Sequence, residues 1–240
     1  MQASIAVILC AAGSSQRMGG VKKEYLFLPE SPFTVLGAAL SAFASCPRVG
    51  PIAIITPPGE EEGARLALPA ERCSGGLLAG SRILFAAGGP TRRASVHNAL
   101  LRLEQCRPSH VLIHDGARPW IKPELIEKII DAAIKFGAVI PALPLLETPK
   151  ELMPNEPAAE GPTFIKRHLR RSSLCAAQTP QGFKFPELLA AHEKAAEREQ
   201  NEKLEYTDDA EVWGEFVGQV AVISGDPENR KITYPEDLRR

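Results

Sequence analysis

The first apolar segment reads Ile5-Ala6-Val7-Ile8-Leu9-Cys10 and passes directly into Ala11-Ala12-Gly13-Ser14-Ser15-Gln16-Arg17-Met18-Gly19-Gly20, before Lys22-Lys23-Glu24-Tyr25. An uninterrupted apolar run predicts a strand that is buried on both faces. The small residues that follow leave backbone amides open to an anion, and Arg17 and Lys23 supply positive charge beside them. The stretch therefore predicts a nucleoside triphosphate site at the end of a first strand.

Two common phosphate-binding patterns do not fit this loop. No Gly-Lys-Ser/Thr closes it, which excludes the P-loop, and its glycines are misplaced for Gly-x-Gly-x-x-Gly. Taken alone, a glycine-rich turn is also an ordinary strand-to-helix connection. The two basic residues after the turn favour the phosphate site.

The composition is that of a globular protein with a sizeable core. The chain has 240 residues, of which 44% are hydrophobic and 24% are charged, and its formal net charge is −1. The balanced charge argues against nucleic-acid and membrane partners, and no apolar run is long enough to span a bilayer. The opening Met1-Gln2-Ala3-Ser4 is too short to indicate a signal peptide. Five scattered cysteines predict reduced thiols, a cytoplasmic location and no zinc site; they are Cys10, Cys46, Cys73, Cys106 and Cys175.

Apolar runs alternate with segments of helical spacing through the first 140 residues. Strands are expected at 5–10, 52–56, 83–87, 110–114 and 137–140, with helices at 34–44, at 94–106 and from Pro123 to Phe136. This alternation predicts an α/β fold with a mostly parallel sheet covered by helices on both faces. Ligands of such sheets bind at the carboxyl ends of the strands, where the Gly13 loop and Asp115 both fall.

The βα pattern stops between Pro141 and Arg171. Prolines and a basic cluster at Lys166–Arg171 indicate an extended arm, so the chain is predicted to be one domain over 1–240 with an insertion at 141–171. A helix is then expected from Pro186 to about Gln200. Thr207 is expected to cap a further helix, before a strand at 220–223.

Four further segments carry candidate chemistry. His114-Asp115-Gly116-Ala117-Arg118-Pro119 follows a buried strand, so Asp115 is either a Mg²⁺ ligand or a turn residue paired with Arg118. The glycine-rich approach Gly88–Val96 admits a flat ring and offers the Ser95 hydroxyl, although it also fits a plain capped helix. Gln178–Phe183 indicates only a turn. Lys231 lies in a short apolar strand, either with a solvated ammonium at a sheet edge or facing a phosphate pocket.

The order of these pieces resembles the 2-C-methyl-D-erythritol 4-phosphate cytidylyltransferase family. The resemblance rests on ordered motifs that span nearly the whole chain: Ala11-Ala12-Gly13, Arg17-Met18-Gly19, Lys23-Glu24-Tyr25, Gly88-Gly89, Arg92, Ser95-Val96, His114–Pro119, Thr179-Pro180-Gln181, Thr207–Ala210, Asn229, Lys231-Ile232-Thr233 and Pro235–Leu238. It implies a Rossmann-like nucleotidyltransferase fold with a projecting arm that a partner subunit embraces, and hence a homodimer through 141–171.

The same resemblance implies a role for each candidate residue. Arg17 and Lys23 would be catalytic, stabilising charge on the α-phosphate of CTP. Asp115 would lie near Mg²⁺ or another divalent cation. The CTP contacts would be Ala11, Ala12, Gly13, Gly89 and Ser95. The methylerythritol phosphate would be held by Thr148, Arg171, Lys231 and Arg118, with Thr148 and Arg171 reaching across from the partner subunit.

Two departures from the family pattern leave alternatives open. Lys22 replaces the usual proline in a shortened loop, so Lys22 competes with Lys23 for the catalytic role, and Pro90 replaces a common acidic residue. The expected reaction is transfer of CMP from CTP to methylerythritol phosphate. The alternatives are a cytidylyltransferase for a pentitol phosphate such as ribitol 5-phosphate, and an inactive nucleotide-binding regulator of the same fold. Gly116-Ala117-Arg118-Pro119 favours the methylerythritol acceptor, because the ribitol enzymes more often carry valine before that arginine.

Overall fold

A computed structural model describes residues 4–69, 83–154, 161–202 and 204–239. Cys73 and Pro157 lie outside the described residues. The helices are α1 Val35–Ala44, α2 Glu61–Leu66, α3 Arg92–Glu104, α4 Pro123–Phe136, α5 Phe185–Glu202 and α6 Asp209–Phe216. The strands are β1 Ile5–Cys10, β2 Val49–Thr56, β3 Ile83–Ala87, β4 His110–Asp115, β5 Ala138–Pro144, β6 Lys150–Leu152, β7 Ile165–His168, β8 Cys175–Ala177, β9 Gln181–Lys184 and β10 Ala221–Ser224.

Most of the strands form one mixed sheet in the order β10-β5-β9-β4-β1-β2-β3, with β8 added beside β5. The pairs of β1 with β2 and β4, of β2 with β3, and of β5 with β10 are parallel. Strand β9 runs antiparallel to both of its neighbours, β4 and β5. The α/β class and the mostly parallel sheet predicted from the sequence are confirmed.

The first strand shows why the apolar run lacks polar alternation. Ile5, Val7 and Leu9 pack into a core layer with α1 and α4, whereas Ala6 and Ile8 pack into the opposite layer with α3, α5 and α6. Each residue of the strand therefore meets an apolar surface, and helices cover both faces of the sheet. Among the described residues, no helix has the length and apolar character needed to cross a bilayer.

Strand β9 corrects the sequence analysis, which assigned only a turn to Gln178–Phe183. Gln181–Lys184 lies in the middle of the sheet and joins its two halves. A Cβ on Gly182 would lie 3.0 Å from Ile129 and 3.1 Å from Ala133, so glycine lets α4 pack directly on this strand. Four residues with glutamine, glycine and lysine among them carry no apolar periodicity, and only tertiary packing identifies them as a strand.

The arm begins later than expected, because Pro141–Pro144 belongs to β5. Beyond Pro144 the chain forms the exposed antiparallel pair β6 and β7 and returns to the sheet through β8. Glu151 on β6 pairs at 2.7 Å with both Lys166 and Arg167 on β7. The arm is therefore a small ribbon that projects from one half of the sheet.

Three smaller features also differ from the sequence analysis. Asp208, and not Thr207, caps α6, since its carboxylate accepts the amide hydrogen of Glu211 at 2.9 Å. Lys231 lies outside any strand among the described residues. The helical spacing of Leu125, Ile126, Ile129, Ala133 and Phe136 predicts one apolar face, but Phe136 is 53% exposed.

Candidate active site

A cavity of about 620 Å³ opens at the carboxyl ends of β1 and β4. Its lining comes from five parts of the chain: Cys10, Ala12–Arg17, Lys23 and Glu24; Ile55; Gly89–Arg92 and Ser95; Asp115 and Ala117; and Glu205, Lys231 and Thr233. The structure thus brings together eight of the residues singled out in the sequence, namely Ala12, Gly13, Arg17, Lys23, Gly89, Ser95, Asp115 and Lys231.

The loop after β1 presents unpaired amides to this cavity. Among the described residues, the backbone amides of 12–17 donate no hydrogen bond to the protein, whereas Met18, Gly19 and Gly20 bond back to the loop. Gly19 and Gly20 have φ angles of +66° and +83°, which let the chain reverse direction here. A run of free amides beside cationic side chains is an arrangement that binds phosphate oxygens.

The two lysines after this loop occupy different positions. Lys23 lines the cavity together with Arg17, whose guanidinium lies 5.8 Å from the ring centre of Tyr234. Lys22 points elsewhere and donates to the carbonyl oxygens of Ala11 and Gly13 at 2.9 and 2.5 Å. Burial lowers the pKa of Lys23, and Glu24 partly opposes this effect. The geometry favours Lys23 as the cation that meets a ligand.

A second glycine-rich corner closes the cavity opposite this loop. A Cβ on Gly89 would lie 2.7 Å from the Cβ of Ala94, so no side chain fits at this position. The Ser95 hydroxyl accepts from the Gly89 amide at 2.9 Å and donates to the Thr91 carbonyl at 2.8 Å. Thr91 in turn caps α3. The corner is thus held rigidly from within, and Ala94 fills the space where a Gly89 Cβ would lie.

Asp115 is the most strongly paired carboxylate in the cavity. Its Oδ2 atom accepts from Arg118 Nε at 3.0 Å and lies 3.3 Å from Lys231 Nζ. Burial alone would raise the pKa of Asp115, but Lys231, Arg118 and Arg92 outweigh burial and hold that pKa well below its usual range. Asp115 therefore pairs with Arg118, as one alternative predicted, and also lines the cavity, while its role as a Mg²⁺ ligand stays a prediction.

The donor set around Asp115 fits one kind of metal ion. No group of three or more His, Cys, Asp or Glu side chains converges among the described residues, which argues against a closed protein cage there. A single carboxylate beside a phosphate loop suits Mg²⁺, which keeps several waters and takes its remaining ligands from substrate phosphates. The residues present are thus compatible with a divalent cation that arrives with a nucleotide.

Thr179, in the segment 178–181, forms hydrogen bonds that hold His114 and Asp115 in place. The Asp115 amide donates to Thr179 Oγ1 at 3.0 Å, and the same oxygen lies 3.0 Å from His114 Nδ1. His114 Nε2 lies 3.1 Å from the Arg118 carbonyl oxygen, so the imidazole donates through Nε2 and accepts from Thr179. Burial lowers the pKa of His114 to about 4. The imidazole is therefore a neutral structural group with both ring nitrogens engaged inside the protein.

Gln178 and Asn229 fasten the turn that carries Lys231. Gln178 Nε2 donates to the Asp226 carbonyl at 2.9 Å, and Asn229 Nδ2 donates to the Thr179 carbonyl at 2.7 Å. The Ile232 amide then bonds to the Ala117 carbonyl at 2.9 Å. These contacts, distant in sequence, hold the Lys231 ammonium beside Asp115.

Sequence reasoning missed several residues of the cavity. Arg92 lines it and pairs at 2.7 Å with Asp209, which is fully buried and lies 3.2 Å from His192. Glu205 adds a carboxylate from the segment before α6, and Glu24 adds a buried one whose pKa is raised by burial. Arg92 stood inside a segment already singled out, whereas nothing in the sequence connects Glu205 to it.

Four of the predicted site residues do not line the cavity. Ala11 is fully buried beneath the loop. Arg118 donates to Asp115 and to the Asn229 carbonyl at 2.8 Å, so the guanidinium expected at the acceptor is used in holding the turn. Thr148 and Arg171 lie on the arm, where Arg171 donates to the Leu146 carbonyl at 2.5 Å.

A mostly parallel α/β sheet with a cationic cavity at the carboxyl ends of its strands is the arrangement of a nucleotide-binding fold. The profile of the 2-C-methyl-D-erythritol 4-phosphate cytidylyltransferase family (IspD) matches residues 5–240. This chain belongs to that family. The resemblance inferred from the ordered motifs is therefore confirmed.

Individual relatives agree with the family assignment. The bifunctional enzyme IspD/IspF of Brucella abortus is 36% identical over 234 residues, which cover 95% of this chain and 54% of the relative. The chain thus spans about half the length of the curated relatives that it matches. The crystal structure of 2-C-methyl-D-erythritol 4-phosphate cytidylyltransferase from Thermus thermophilus is 31% identical, with a TM-score of 0.70 over 100% of this chain and 96% of that one. The Francisella tularensis structure of the same name is 26% identical, with a TM-score of 0.76 over 98% and 97%.

Proposed function

We propose that this chain transfers CMP from CTP to 2-C-methyl-D-erythritol 4-phosphate and releases pyrophosphate. An oxygen of the acceptor phosphate attacks the α-phosphorus of CTP, and the bond from that phosphorus to the bridging oxygen of the β-phosphate breaks. The observation that carries the proposal is the convergence of a loop of unpaired amides with Arg17, Lys23 and Lys231 around one cavity. Such a reaction needs positioning and charge stabilisation, and no protein nucleophile.

Each cation has a distinct task in this proposal. Arg17 and Lys23 stand beside the amide loop, so they neutralise the charge that develops around the α-phosphorus. Lys231 stands beside Asp115 and binds the acceptor phosphate. Gly89 and Ser95 line the same cavity and contact the cytidine of CTP. Cys10 also lines the cavity, but burial raises the pKa of its thiol to about 12, which keeps it protonated and unreactive.

We propose Mg²⁺ as the divalent cation, held by Asp115 and the phosphates of CTP. When bound, the ion withdraws negative charge from the phosphate oxygens and so makes the phosphorus more open to attack. Lys231 and Arg118 keep Asp115 ionised and oriented for this contact. The cytoplasmic location expected from the scattered cysteines remains a prediction.

The arm completes the site in a homodimer. Leu146 and Phe164 on the arm are 85% and 68% exposed, which favours a partner surface over solvent. Thr148 and Arg171 lie on the same arm, away from the cavity of their own subunit. We therefore propose that both residues bind the acceptor in the partner's cavity.

The test of the reaction is pyrophosphate release from CTP with a panel of acceptors. We expect Mg²⁺-dependent release with methylerythritol phosphate, and none with ribitol 5-phosphate or without an acceptor. Release with ribitol 5-phosphate alone would replace the proposed acceptor. Tight CTP binding without release from any acceptor would identify a nucleotide-binding regulator.

The test of the arm is complementation between two inactive variants. In a mixed dimer of Arg17→Ala and Arg171→Ala subunits, a crossing arm restores one intact site: the wild-type Arg17 of one subunit meets the wild-type Arg171 of the other. Random exchange should then recover about a quarter of wild-type turnover, since half the dimers each hold one active site of two. If each arm serves its own subunit, the mixture stays inactive. Light scattering that shows an active monomer would also exclude this arrangement.

A further inference from the structure

Lys22 fastens the phosphate loop from within, through hydrogen bonds of its side chain to the loop backbone. Its ammonium donates to the carbonyl oxygens of Ala11 and Gly13 at 2.9 and 2.5 Å, eleven and nine residues earlier in the chain. Its side chain is absent from the cavity lining, unlike that of Lys23. The ammonium is thus engaged by the loop itself and does not line the cavity.

These two carbonyls control the direction of two amides. In a planar trans peptide the C=O and N–H groups point in opposite directions. A carbonyl of Ala11 that faces Lys22 therefore turns the amide of Ala12 away from Lys22, and the carbonyl of Gly13 does the same to the amide of Ser14. Ala12 and Ser14 both line the cavity, and neither amide has a protein acceptor among the described residues.

The surroundings keep the Lys22 ammonium in place. Burial lowers its pKa, while Glu24 and Glu60 act in the opposite direction. The Nζ atom also lies 6.0 Å from the ring centre of Tyr25. The charge is held against the loop carbonyls, where it adds to the field that an incoming anion meets.

We propose that Lys22 is a positioning residue that orients the Ala12 and Ser14 amides toward the triphosphate of the nucleotide. Without the ammonium, either peptide is free to rotate and to present its carbonyl oxygen to the phosphates. Lys22 therefore contributes to triphosphate affinity, whereas Lys23 acts on the reacting phosphate. This inference rests on the proposed function only in naming CTP as the ligand.

The test compares Lys22→Met with Lys194→Met, which removes an exposed lysine on α5. Calorimetry measures the Kd of CTP and of inorganic triphosphate, and steady-state assays give kcat. We expect Lys22→Met to raise the Kd of both ligands about tenfold, because both charged hydrogen bonds to the loop are lost. Its kcat should change less than threefold. Lys194→Met should bind and turn over like wild type.

A second variant, Lys22→Gln, tests whether a loss of affinity in Lys22→Met comes from a folding defect. Its amide still donates to one carbonyl, so its affinity should lie between those of wild type and Lys22→Met at an unchanged thermal midpoint. Unchanged Kd values in both variants would contradict the inference while leaving the reaction intact. A loss of kcat at unchanged Kd would make Lys22 a catalytic residue instead. Failure of wild type to bind CTP would contradict the proposed function itself.

Discussion

Replacing Thr179 by valine should destabilise the protein because the hydroxyl joins two buried groups. Thr179 Oγ1 accepts from the Asp115 amide and donates to His114 Nδ1, both at 3.0 Å. Valine matches threonine in shape, so the change removes two hydrogen bonds and creates no cavity. Leaving a buried polar group unpaired costs about 1–3 kcal/mol, so the two together should lower the free energy of unfolding by roughly 3 kcal/mol.

Urea denaturation followed by circular dichroism measures this loss, with Thr179→Ser as the matched control. Serine keeps both hydrogen bonds and loses one methyl group, which should cost about 1 kcal/mol. Thr179→Val should also reduce turnover, because the Asp115 amide helps to fix the carboxylate at the cavity. The reasoning fails if the free energies of unfolding of the valine and serine variants differ by less than about 0.5 kcal/mol. That result would mean that the buried groups find other hydrogen-bond partners.

Four further outcomes are expected. Arg17→Ala should lower kcat about a hundredfold with a smaller change in CTP affinity, and near-normal kcat would remove Arg17 from the catalytic set. Arg171→Lys should raise the acceptor KM about tenfold while sparing the CTP KM, because lysine cannot bind a phosphate bidentately; the reverse pattern would move this residue to the nucleotide side. The pKa of His114 falls from 6.5 in the unfolded chain to about 4 in the folded protein. Between pH 6.5 and 4 the unfolded chain therefore binds a proton that the folded protein does not bind. The free energy of unfolding should decrease by about 3 kcal/mol as the pH drops through this range. His114→Gln should flatten the unfolding profile in that window, and an unchanged slope would assign the acid sensitivity to other groups. Gly89→Ala puts a Cβ 2.7 Å from the Cβ of Ala94, so Ala94 or the Gly89 corner must shift. The change should destabilise the fold by about 1–3 kcal/mol and weaken CTP binding, and normal CTP affinity would show that this corner does not contact the nucleotide.

The sequence predicts the first half of the sheet well, for a physical reason. Strands β1, β2 and β4 are buried on both faces, so their apolar runs are nearly continuous and easily recognised. The carboxyl ends of these parallel strands must meet at one edge, which is why Gly13 and Asp115 were expected together and lie in the same cavity.

The missed parts depend on contacts between distant segments. Gln181 carries no strand signal, but its side chain bonds to the Asp208 carboxylate at 2.8 Å and to the Ala210 amide at 3.2 Å, across the start of α6. The choice of Asp208 over Thr207 as a cap follows from the same contacts, because the burial of Asp209 beside Arg92 fixes where the helix begins. Nor does local sequence distinguish Lys22 from Lys23, since only the path of the chain decides which ammonium meets the loop carbonyls.

The central place of β9 has a consequence for synthesis of the chain on the ribosome. Strands β4 and β5 are both made early, but the strand that joins them is not complete until Lys184, after the whole arm has been translated. A nascent chain stopped anywhere in the arm therefore holds the sheet β4-β1-β2-β3 with an open edge at β4, together with β5, which has no strand partner because β8, β9 and β10 all come later. Truncation products that end before Lys184 should aggregate, and the cell should depend on uninterrupted translation, or on a chaperone, across the interval that separates β5 from β9.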